Sequence, residues 1–399
     1  MRADTKLKVL GELSQFDVCG SPQAFVTHKT SPRFPFIYHS IGENNEGNST
    51  RLFKILQTNA CEHNCSYCAN RKDRNFERLS FTPKELAETF MYYYEENLVE
   101  GCFISSAINK GVEASQQSVL DTIKLLRKKY KYEGYIHTKI LPGVDEEMIR
   151  EVAKYSDRLS INLEAPGDEW LSKMSKHKKF SNILSQLQSI AKISEEKKLK
   201  SGVTTQFMVG GTNESDKEIM NLVSKLYKEF KLRRVYYSGF MPIENTPLEN
   251  LSPCFPQREL RLYQADSLIR QYNFTSEELP FDSKGLLPIN EDPKLAWAKQ
   301  HLDLFPIEIN KASFEELLRV PGFGKISADK IIEARQINKI TTLDTLKRLG
   351  APISKARNFI TLENHFFPTK SPELEAKYTD KAGAVGKLLQ KQLFLWEEM

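Results

Sequence analysis

Residues 51–68 read RLFKILQTNACEHNCSYC, a run of strand-forming residues followed directly by three closely spaced cysteines. The cysteines are Cys61, Cys65 and Cys68, which gives the spacing C-x3-C-x2-C. In α/β folds, ligands bind beyond the carboxyl ends of the strands, where this loop begins. Three thiolates on one loop can hold three irons of a [4Fe–4S] cluster and leave the fourth iron open to a substrate or cosubstrate. The stretch therefore predicts an iron–sulfur site at a strand end.

A zinc site and a chance grouping of core cysteines both fit the residue chemistry less well. A structural zinc site uses four ligands, usually in paired knuckles. Here the fourth ligand would be His63 or a distant cysteine, and the sequence has no second knuckle. Three unrelated core cysteines are not expected on a loop as polar as residues 59–66.

The remaining composition is typical of intracellular globular proteins. The 399 residues are 40% hydrophobic and 27% charged, enough for two or three domains. Cys19, Cys102 and Cys254 are scattered, and six cysteines are too few for a disulfide scaffold. The first 22 residues lack the apolar core of a signal peptide, and no apolar run approaches the roughly 18 residues of a membrane helix. We therefore expect a reducing, cytoplasmic location and no membrane partner.

Strand-like and helix-like segments alternate from residue 51 to 243. The β-rich runs are 51–57, 101–108, 134–141, 158–165, 202–210 and 233–243. One segment with helical spacing begins at Thr82-Pro83, where Thr can cap the helix and Pro fits its first turn. Others cover about 114–130, 144–155, 180–197 and 215–230. Six repeats of strand then helix predict a parallel sheet with right-handed crossovers. Periodicity alone does not separate an open barrel from a doubly wound sheet.

The alternation stops after residue 245, where three prolines mark a connection. A helix is predicted over 257–273, and residues 274–306 have an irregular pattern. From 307 to 360, short helical segments alternate with Gly/Pro turns and carry ten Lys and Arg against six Asp and Glu. This surplus of four positive charges is most of the net charge of +5. The pattern predicts a small basic module with an anionic partner.

The cysteine motif resembles the signature of the radical SAM superfamily, C-x3-C-x-aromatic-C, with Tyr67 as the aromatic residue. The resemblance extends over about residues 45–245 and implies an α/β fold with a partial (β/α)6, TIM-like barrel. It also implies S-adenosylmethionine as cosubstrate, with its amino and carboxylate groups on the open iron. One electron, from a donor such as flavodoxin or ferredoxin, would release a 5′-deoxyadenosyl radical that abstracts hydrogen from the substrate. In such enzymes the cofactor carries the difficult chemistry and the protein positions it.

Further residues are assigned to S-adenosylmethionine on this resemblance. They are Tyr67, Ser105, Ser106, Asn162, Glu164, Gln206, Val209 and Gly210. Ser105 and Ser106 stand where the family carries a Gly-Gly-Glu-like turn, and the charged Glu is missing. Strand alternation along 160–164 is equally compatible with a structural hydrogen-bond ladder. The cations at 71, 72 and 74 indicate either an anion-binding cluster or a solvated run of charges.

The basic module contains SFEELLRVPGFGKISADKIIEAR at residues 313–335. Ser313 and Glu316 have the spacing of a capping box, and the segment 321–324 turns the chain into a second helix. The pattern resembles the helix-hairpin-helix motif, whose glycines let backbone N–H groups approach a phosphate. The residues assigned to nucleic acid are Pro321, Gly322, Phe323, Gly324, Lys325, Lys330 and Arg335. Such contacts hold the backbone of duplex DNA largely independently of sequence; a protein-interaction hairpin is the alternative.

A second, weaker copy of the hairpin follows at 342–360. Leu349-Gly350-Ala351-Pro352 replaces the turn, and the second glycine is absent. Paired copies are usual for this motif, and we expect the second copy to be mainly structural.

The whole chain resembles a DNA modification and repair family of radical SAM proteins, inferred to work with a uracil-DNA-glycosylase-like protein. The resemblance includes segments 234–238, 261–266 and 292–297, and Trp297 in the last of these is expected to be a buried anchor. The implied domains are an N-terminal segment (1–44), a radical SAM core (45–245), a connecting and docking segment (246–306), a small all-α helix-hairpin-helix domain (307–362) and a tail with a helix (363–399).

The sequence thus predicts an enzyme that acts on DNA by radical hydrogen abstraction, for base modification or lesion repair. A radical SAM enzyme that modifies tRNA or other RNA is one alternative. A non-catalytic iron–sulfur scaffold that binds DNA is the other.

Overall fold

The computed structural model describes residues 3–18, 34–41 and 49–367. The chain divides into two compact units, Met1–Tyr263 and Gln264–Met399. Cys19 and nearly all of the C-terminal segment predicted to carry a helix lie outside the described residues. No helix within the described ranges is long and apolar enough to cross a membrane.

One seven-stranded sheet forms the framework of the first unit. Its strands, in both chain order and spatial order, are Ile37–Ile41 (β1), Ser49–Leu56 (β2), Gly101–Ser105 (β3), Tyr135–Lys139 (β4), Arg158–Ser160 (β5), Val203–Val209 (β6) and Arg234–Gly239 (β7). β1 pairs with β2 antiparallel, and every later pairing is parallel. β1 and β7 form the two edges, so the six parallel strands make a partial barrel. The predicted α/β fold with a partial (β/α)6 barrel is confirmed.

Helices connect the parallel strands, as parallel pairing requires. Ala3–Leu13 (α1) precedes the sheet. Over the described residues the connecting helices are Pro83–Glu95 (α2), Val112–Lys124 (α3), Glu146–Ala153 (α4), Asp168–Met174 (α5), Phe180–Lys197 (α6) and Asp216–Phe230 (α7). Pro256–Tyr272 (α8) follows β7 and crosses the boundary between the units. Thr82 forms a capping box with Glu85 at α2, and Pro83 occupies the first turn, where its missing N–H costs no hydrogen bond. Ser215 and Glu218 form a second capping box at α7. Local sequence therefore sets where these helices begin.

Alternation along the strands separates a side that faces the helices from a side that faces an open cleft. On β2, the Phe53 ring packs 5.6 Å from the ring of Phe90 on α2, in the core between sheet and helices. Lys54 points the other way, with its ammonium 4.1 Å from the centre of the Tyr38 ring. Leu56, two residues further on, lines the cleft. The inner side of the sheet thus carries buried charged groups, which need partners there.

The N-terminal segment lies against this inner side. Gln206 on β6 accepts a hydrogen bond from the Val18 N–H (2.7 Å) and donates one to the Phe16 carbonyl (2.9 Å). Ser14, itself buried, donates to the Lys54 carbonyl on β2 (3.1 Å). The segment is thereby tied to two strands and forms part of the cleft wall.

The second unit contains short helices and a small sheet. Over its described residues the helices are Pro293–Gln300 (α9), Phe314–Arg319 (α10), Lys325–Ile337 (α11), Leu343–Arg348 (α12) and Ile353–Ala356 (α13), and the strands Ile307–Glu308 (β8), Ile360–Leu362 (β9) and His365–Phe366 (β10) pair in the order β10-β9-β8. The predicted capping box of Ser313 and Glu316 is present at the start of α10. Trp297 is 2% exposed, and its ring lies 5.0 Å from the ring of Phe274. It is a buried anchor within this unit, as expected.

Three differences from the sequence analysis have local causes. β5 ends at Ser160, although strand-like sequence continues to 165; in the continuation Glu164 adopts a φ of 66° and makes only an isolated bridge to Phe207. The segment 274–306, expected to be irregular, contains α9, which Asp292 caps. The strands β8 to β10 accompany the predicted C-terminal helices and are too short for alternation to reveal them.

Candidate active site and nucleic-acid interface

The three cysteines lie on the loop between β2 and α2, and all three line the open cleft at the carboxyl ends of the parallel strands. Asn59 holds the base of this loop, since its side chain donates to the Glu77 carbonyl (3.0 Å) and accepts from the Leu79 N–H (2.7 Å). Arg78 donates to five loop carbonyls, those of residues 59, 70, 71, 72 and 74, at 2.5–3.2 Å. The roles of Asn59 and Arg78 as organisers of the loop were not predicted, because no short sequence pattern marks them.

The donor chemistry of the loop fits a [4Fe–4S] cluster. The Cys61 sulfur accepts from the His63 N–H, and the Cys68 sulfur accepts from the Asn70 N–H, both at 3.4 Å. Burial and, after it, the neighbouring Cys65 raise the pKa of Cys68 to about 12, so its thiolate needs a positive centre such as iron beside it. Over the described residues, no three His, Cys, Asp or Glu side chains converge on a point suited to a single metal ion. Three sulfur donors on one cleft are the ligands that a cluster of several irons requires.

A buried ion pair lies in the same cleft wall as the cysteines. Lys178 donates to Glu164 (3.2 Å) and to the Tyr67 hydroxyl (2.8 Å), and Tyr67 donates to the same carboxylate oxygen (3.0 Å). Burial by itself would lower the pKa of Lys178, but Glu164, Cys65 and Cys68 together outweigh burial and the pKa is raised, so the ammonium stays charged. Burial, and then Glu164, raises the pKa of Tyr67 well above its usual value. The structure thus brings Tyr67 and Glu164 together, whereas Lys178, which no motif surrounds, was missed.

A second buried ion pair, between Asp17 and Lys139, also lines the cleft. Asn162 donates to the same Asp17 oxygen (3.4 Å). Burial by itself would raise the pKa of Asp17, but Lys139, helped by Lys54 and Ser105, outweighs burial and the pKa is lowered. Gln206, assigned to the cosubstrate, uses both ends of its amide on the N-terminal segment. Asp17 and Lys139 were missed because nothing in the sequence indicates that the N-terminal segment reaches the sheet.

The remaining residues assigned to S-adenosylmethionine occupy two kinds of position. Ser105, the last residue of β3, and Ser106, which follows it, line the cleft. Val209 and Gly210 are not among the cleft-lining residues within the described part of the chain. Gly210 has a φ of 82°, and its N–H donates to the Glu214 carboxylate (2.6 Å). This carboxylate fixes the turn that follows β6.

Two of the three cations after the cysteines are engaged by the loop itself. Arg74 donates to the Ala69 carbonyl (3.2 Å) and to the Glu244 carbonyl (3.0 Å). Arg71 is largely buried and lies 3.7 Å from an oxygen of Asp73. Lys72 is exposed to solvent. Most of this charge therefore organises the loop.

In the second unit, the predicted hairpin turn joins α10 to α11. Gly322 has a φ of 86°, and a Cβ at this position would lie 2.7 Å from Pro352 Cγ in the turn of the second copy. Gly324 is the N-cap of α11, and no side chain caps this helix. The N–H groups at the start of α11 are therefore open to an anion.

The residues assigned to nucleic acid divide into exposed and supporting ones. Lys325 and Lys330 on α11 are exposed. Arg335 is half-buried and donates to a carbonyl in the segment before α10 (2.7 Å). Pro321 and Phe323 are buried, and the Phe323 ring is fully so. The two lysines face solvent, while Arg335, Pro321 and Phe323 support the turn.

Comparison with known proteins identifies two domains. The profile of the Radical SAM superfamily matches residues 55–226, and that of the helix-hairpin-helix motif matches residues 306–361, so the presence of a radical SAM domain and of a helix-hairpin-helix motif is confirmed. No curated protein sequence matches the chain.

Several solved structures are similar to this chain at low identity. Methylornithine synthase is 15% identical, with 54% of this chain and 62% of that chain covered and a TM-score of 0.44. The FeFe-hydrogenase maturase HydG from Carboxydothermus hydrogenoformans is 13% identical, with 86% of this chain and 81% of that chain covered and a TM-score of 0.46. The radical S-adenosylmethionine methyltransferase TsrM from Kitasatospora setae is 13% identical, with 86% of this chain and 61% of that chain covered and a TM-score of 0.40. This chain thus spans less than two thirds of the first and third of these proteins. At these identities and TM-scores the likenesses carry no argument about the reaction.

We expect Gln206→Leu to release the N-terminal segment from the sheet. The substitution removes two buried hydrogen bonds of roughly 1 kcal/mol each, so cleavage by chymotrypsin at Phe16 should become faster. Gln57→Leu is the matched control, because Gln57 is a buried amide bonded to Ser118 and Thr122. The Gln57→Leu variant should have a lower free energy of unfolding than wild type but the same rate of cleavage at Phe16. Equal cleavage of Gln206→Leu and wild type would contradict the placement of the segment.

We expect the Asp17–Lys139 pair to stabilise the fold above pH 4 and to lose this effect in acid. The pKa of Asp17 is lowered from 3.8 in the folded state, so the contribution is complete above 3.8 and disappears as pH falls through the lower folded value. Asp17→Asn leaves a buried ammonium unpaired and should cost about 3 kcal/mol at pH 7. Urea unfolding from pH 7 to 3 measures the free energy of unfolding of both proteins. A difference in this free energy between Asp17→Asn and wild type that grows as the pH falls would refute the prediction.

Proposed function

We propose, from the premise that this chain is a radical SAM enzyme with a [4Fe–4S] cluster and S-adenosylmethionine as cofactors, that its substrate is DNA. The observation that carries the proposal is the presence in one chain of the radical SAM domain over 55–226 and the helix-hairpin-helix motif over 306–361. Radical chemistry is not specific to one substrate class, whereas the hairpin suits a phosphodiester backbone. Base modification and lesion repair are both reactions open to such an enzyme.

The cleft offers positions for both cofactors. When bound, they supply a 5′-deoxyadenosyl radical, formed by one-electron cleavage of S-adenosylmethionine, that abstracts hydrogen from the substrate. The three cysteines of the motif would hold the cluster. Asn70 lines the same cleft, and its Oδ1 is buried without a hydrogen-bond partner within the described residues. This acceptor suits an amino group such as that of the methionine moiety.

The charged side chains of the two ion pairs that line the cleft neutralise one another, so the pairs add no net charge to the cleft. Lys178 is paired with Glu164, and Lys139 is paired with Asp17. Apolar residues, among them Leu56, line the cleft beside these pairs and exclude water from reactive species. A polar but uncharged group such as a nucleobase fits this environment better than a phosphate does. We therefore assign the base to the cleft and the phosphate backbone to the hairpin.

The hairpin supports the nucleic-acid part of the proposal through its backbone and its charge. The N–H groups at the start of α11 have no side-chain cap, and Lys325 and Lys330 beside them are exposed. Residues 307–360 carry a surplus of four positive charges. Contacts of this kind bind duplex DNA through phosphates and read little sequence.

The proposal extends to partners that the chemistry or the family resemblance implies. Cleavage of S-adenosylmethionine consumes one electron, so we propose a donor such as flavodoxin or ferredoxin. A uracil-DNA-glycosylase-like partner is proposed on the family resemblance of segments 234–238, 261–266 and 292–297 alone. A reducing, cytoplasmic location suits both the cluster and the free thiols.

Replacing all three motif cysteines should abolish cofactor chemistry. We expect Cys61→Ala, Cys65→Ala and Cys68→Ala together to remove the iron–sulfur absorbance after anaerobic reconstitution, and with it the 5′-deoxyadenosine formed with dithionite. Cys102→Ala with Cys254→Ala is the matched control and should keep both signals, because neither residue lies on the cysteine loop. An unchanged yield in the triple variant would defeat the assignment. Cluster absorbance without any cleavage in the wild type would favour a non-catalytic scaffold.

Charge reversal on the hairpin should weaken DNA binding in a salt-dependent way. We expect Lys325→Glu with Lys330→Glu to reduce duplex affinity more than 10-fold at about 100 mM salt and to lower the salt slope by about 2, as loss of two phosphate contacts predicts. Fluorescence anisotropy with a labelled duplex measures both quantities. Lys192→Glu with Lys217→Glu is the control for net charge, because both lysines are exposed and lie in the first unit, outside the hairpin-motif match. Tight tRNA binding that outcompetes the duplex and survives the hairpin variant would favour an RNA substrate instead.

A further inference from the structure

The second unit contains a buried lysine directly behind the hairpin turn. Lys294, on α9, is only 4% exposed. Its ammonium donates a hydrogen bond of 2.6 Å to the Phe323 carbonyl, 29 residues further along the chain. The hairpin match begins at residue 306, so Lys294 lies outside the motif.

Peptide geometry links this hydrogen bond to the phosphate side of the turn. The Phe323 carbonyl and the Gly324 N–H belong to one planar trans peptide, so they point in opposite directions. Because Lys294 holds the carbonyl on the buried side, the Gly324 N–H is directed away from it. Gly324 is the N-cap of α11, where unpaired N–H groups begin. Lys294 therefore fixes the direction of the first N–H donor at this helix start.

The groups around Lys294 do not neutralise its charge by contact. Its ammonium lies 4.7 Å from the centre of the Tyr272 ring of α8, and within the described residues no carboxylate forms an ion pair with it. Asp292, which caps α9, and Arg319 of α10 are the charged side chains that act on it. Arg319 is itself paired with Glu278 (2.7 Å). Such a cation is costly to bury and would be stabilised by an anion on the far side of the turn.

The surroundings hold the lysine and the turn in one arrangement. The Tyr272 hydroxyl lies 3.0 Å from where a Cβ of residue 324 would stand, so the turn packs directly on the ring that contacts Lys294. Burial lowers the pKa of Lys294 to about 7; Asp292 opposes this shift and Arg319 adds to it. The lysine is consequently charged below about pH 7 and increasingly neutral above it.

We propose that Lys294 is a positioning residue for nucleic-acid phosphate, which orients the Gly324 N–H towards the phosphate and places a positive charge behind the turn. The inference rests on the proposed function, since it deepens the role of the hairpin as the site that binds the phosphate backbone. We therefore expect the protein to bind duplex DNA more tightly when Lys294 is protonated than when it is neutral.

The test measures duplex affinity of the full chain by anisotropy from pH 6.0 to 8.5, with Lys294→Met and Lys299→Met. Met has a similar volume, so Lys294→Met should fold with a thermal midpoint close to that of wild type. We expect its affinity at pH 6 to fall about 5-fold, as loss of one partly screened charge predicts. Wild-type affinity should weaken as pH rises through about 7, and this pH dependence should be smaller in Lys294→Met. Lys299 lies on the same helix and pairs with Glu291 (2.7 Å), so its variant should keep the wild-type pH profile.

The outcomes separate failure of this inference from failure of the proposed function. If the wild-type protein binds duplex DNA with the same affinity at every pH from 6.0 to 8.5, the proposed role of Lys294 is overturned. This outcome does not depend on whether Lys294→Met folds. Equal affinities and equal pH profiles for Lys294→Met and wild type would overturn it too. A wild type that binds no duplex at any pH would instead overturn the proposed function. Lys294→Gln, neutral at every pH, should reproduce the weaker binding of Lys294→Met.

Discussion

The six parallel strands all end at the same edge of the sheet, and the chemistry of the cleft depends on that constraint. Parallel pairing forces each connection to cross over through a helix, so every strand delivers its last residues to one side. The cleft is lined at this edge by Leu56, Ser105, Lys139, Met208 and Ser238, one from each of five strands. The cysteine loop follows the first of these strands, which places its sulfurs against side chains from the rest of the sheet.

The buried charged groups at the two candidate sites have different partners. In the first, Asp17 is paired with Lys139 and Glu164 with Lys178, so each charge has its partner within the protein. In the second, Lys294 donates to a carbonyl and has no carboxylate contact among the described residues. A paired charge stabilises a fixed geometry, whereas an unpaired one favours an arriving anion. This difference agrees with a base in the cleft and a phosphate at the hairpin.

Backbone geometry contributes at two positions where the conformation is unusual. Glu164 has a φ of 66°, which is uncommon outside glycine, and it interrupts the extension of β5. The same residue bridges to Phe207 and anchors Lys178. Gly322 has a φ of 86° and packs so closely on Pro352 that a side chain would collide. The irregular backbone thus places Glu164 beside Lys178 in the cleft wall and Gly322 against Pro352 in the turn of the second hairpin copy.

The sequence by itself determined the features that depend on residues close together in the chain. The alternation of strand-like and helix-like segments predicted a parallel sheet, and the resemblance carried by the cysteine spacing implied the radical SAM domain with its partial barrel. The segment from Pro321 to Gly324 indicated the hairpin. Capping residues such as Thr82 and Ser313 marked helix starts, because caps act within three residues. Only the tertiary structure revealed Asp17 beside Lys139, Lys178 beside Glu164, and Lys294 behind Phe323. These pairs are separated by 122, 14 and 29 residues and follow no spacing rule, since sheet topology and helix packing bring them together.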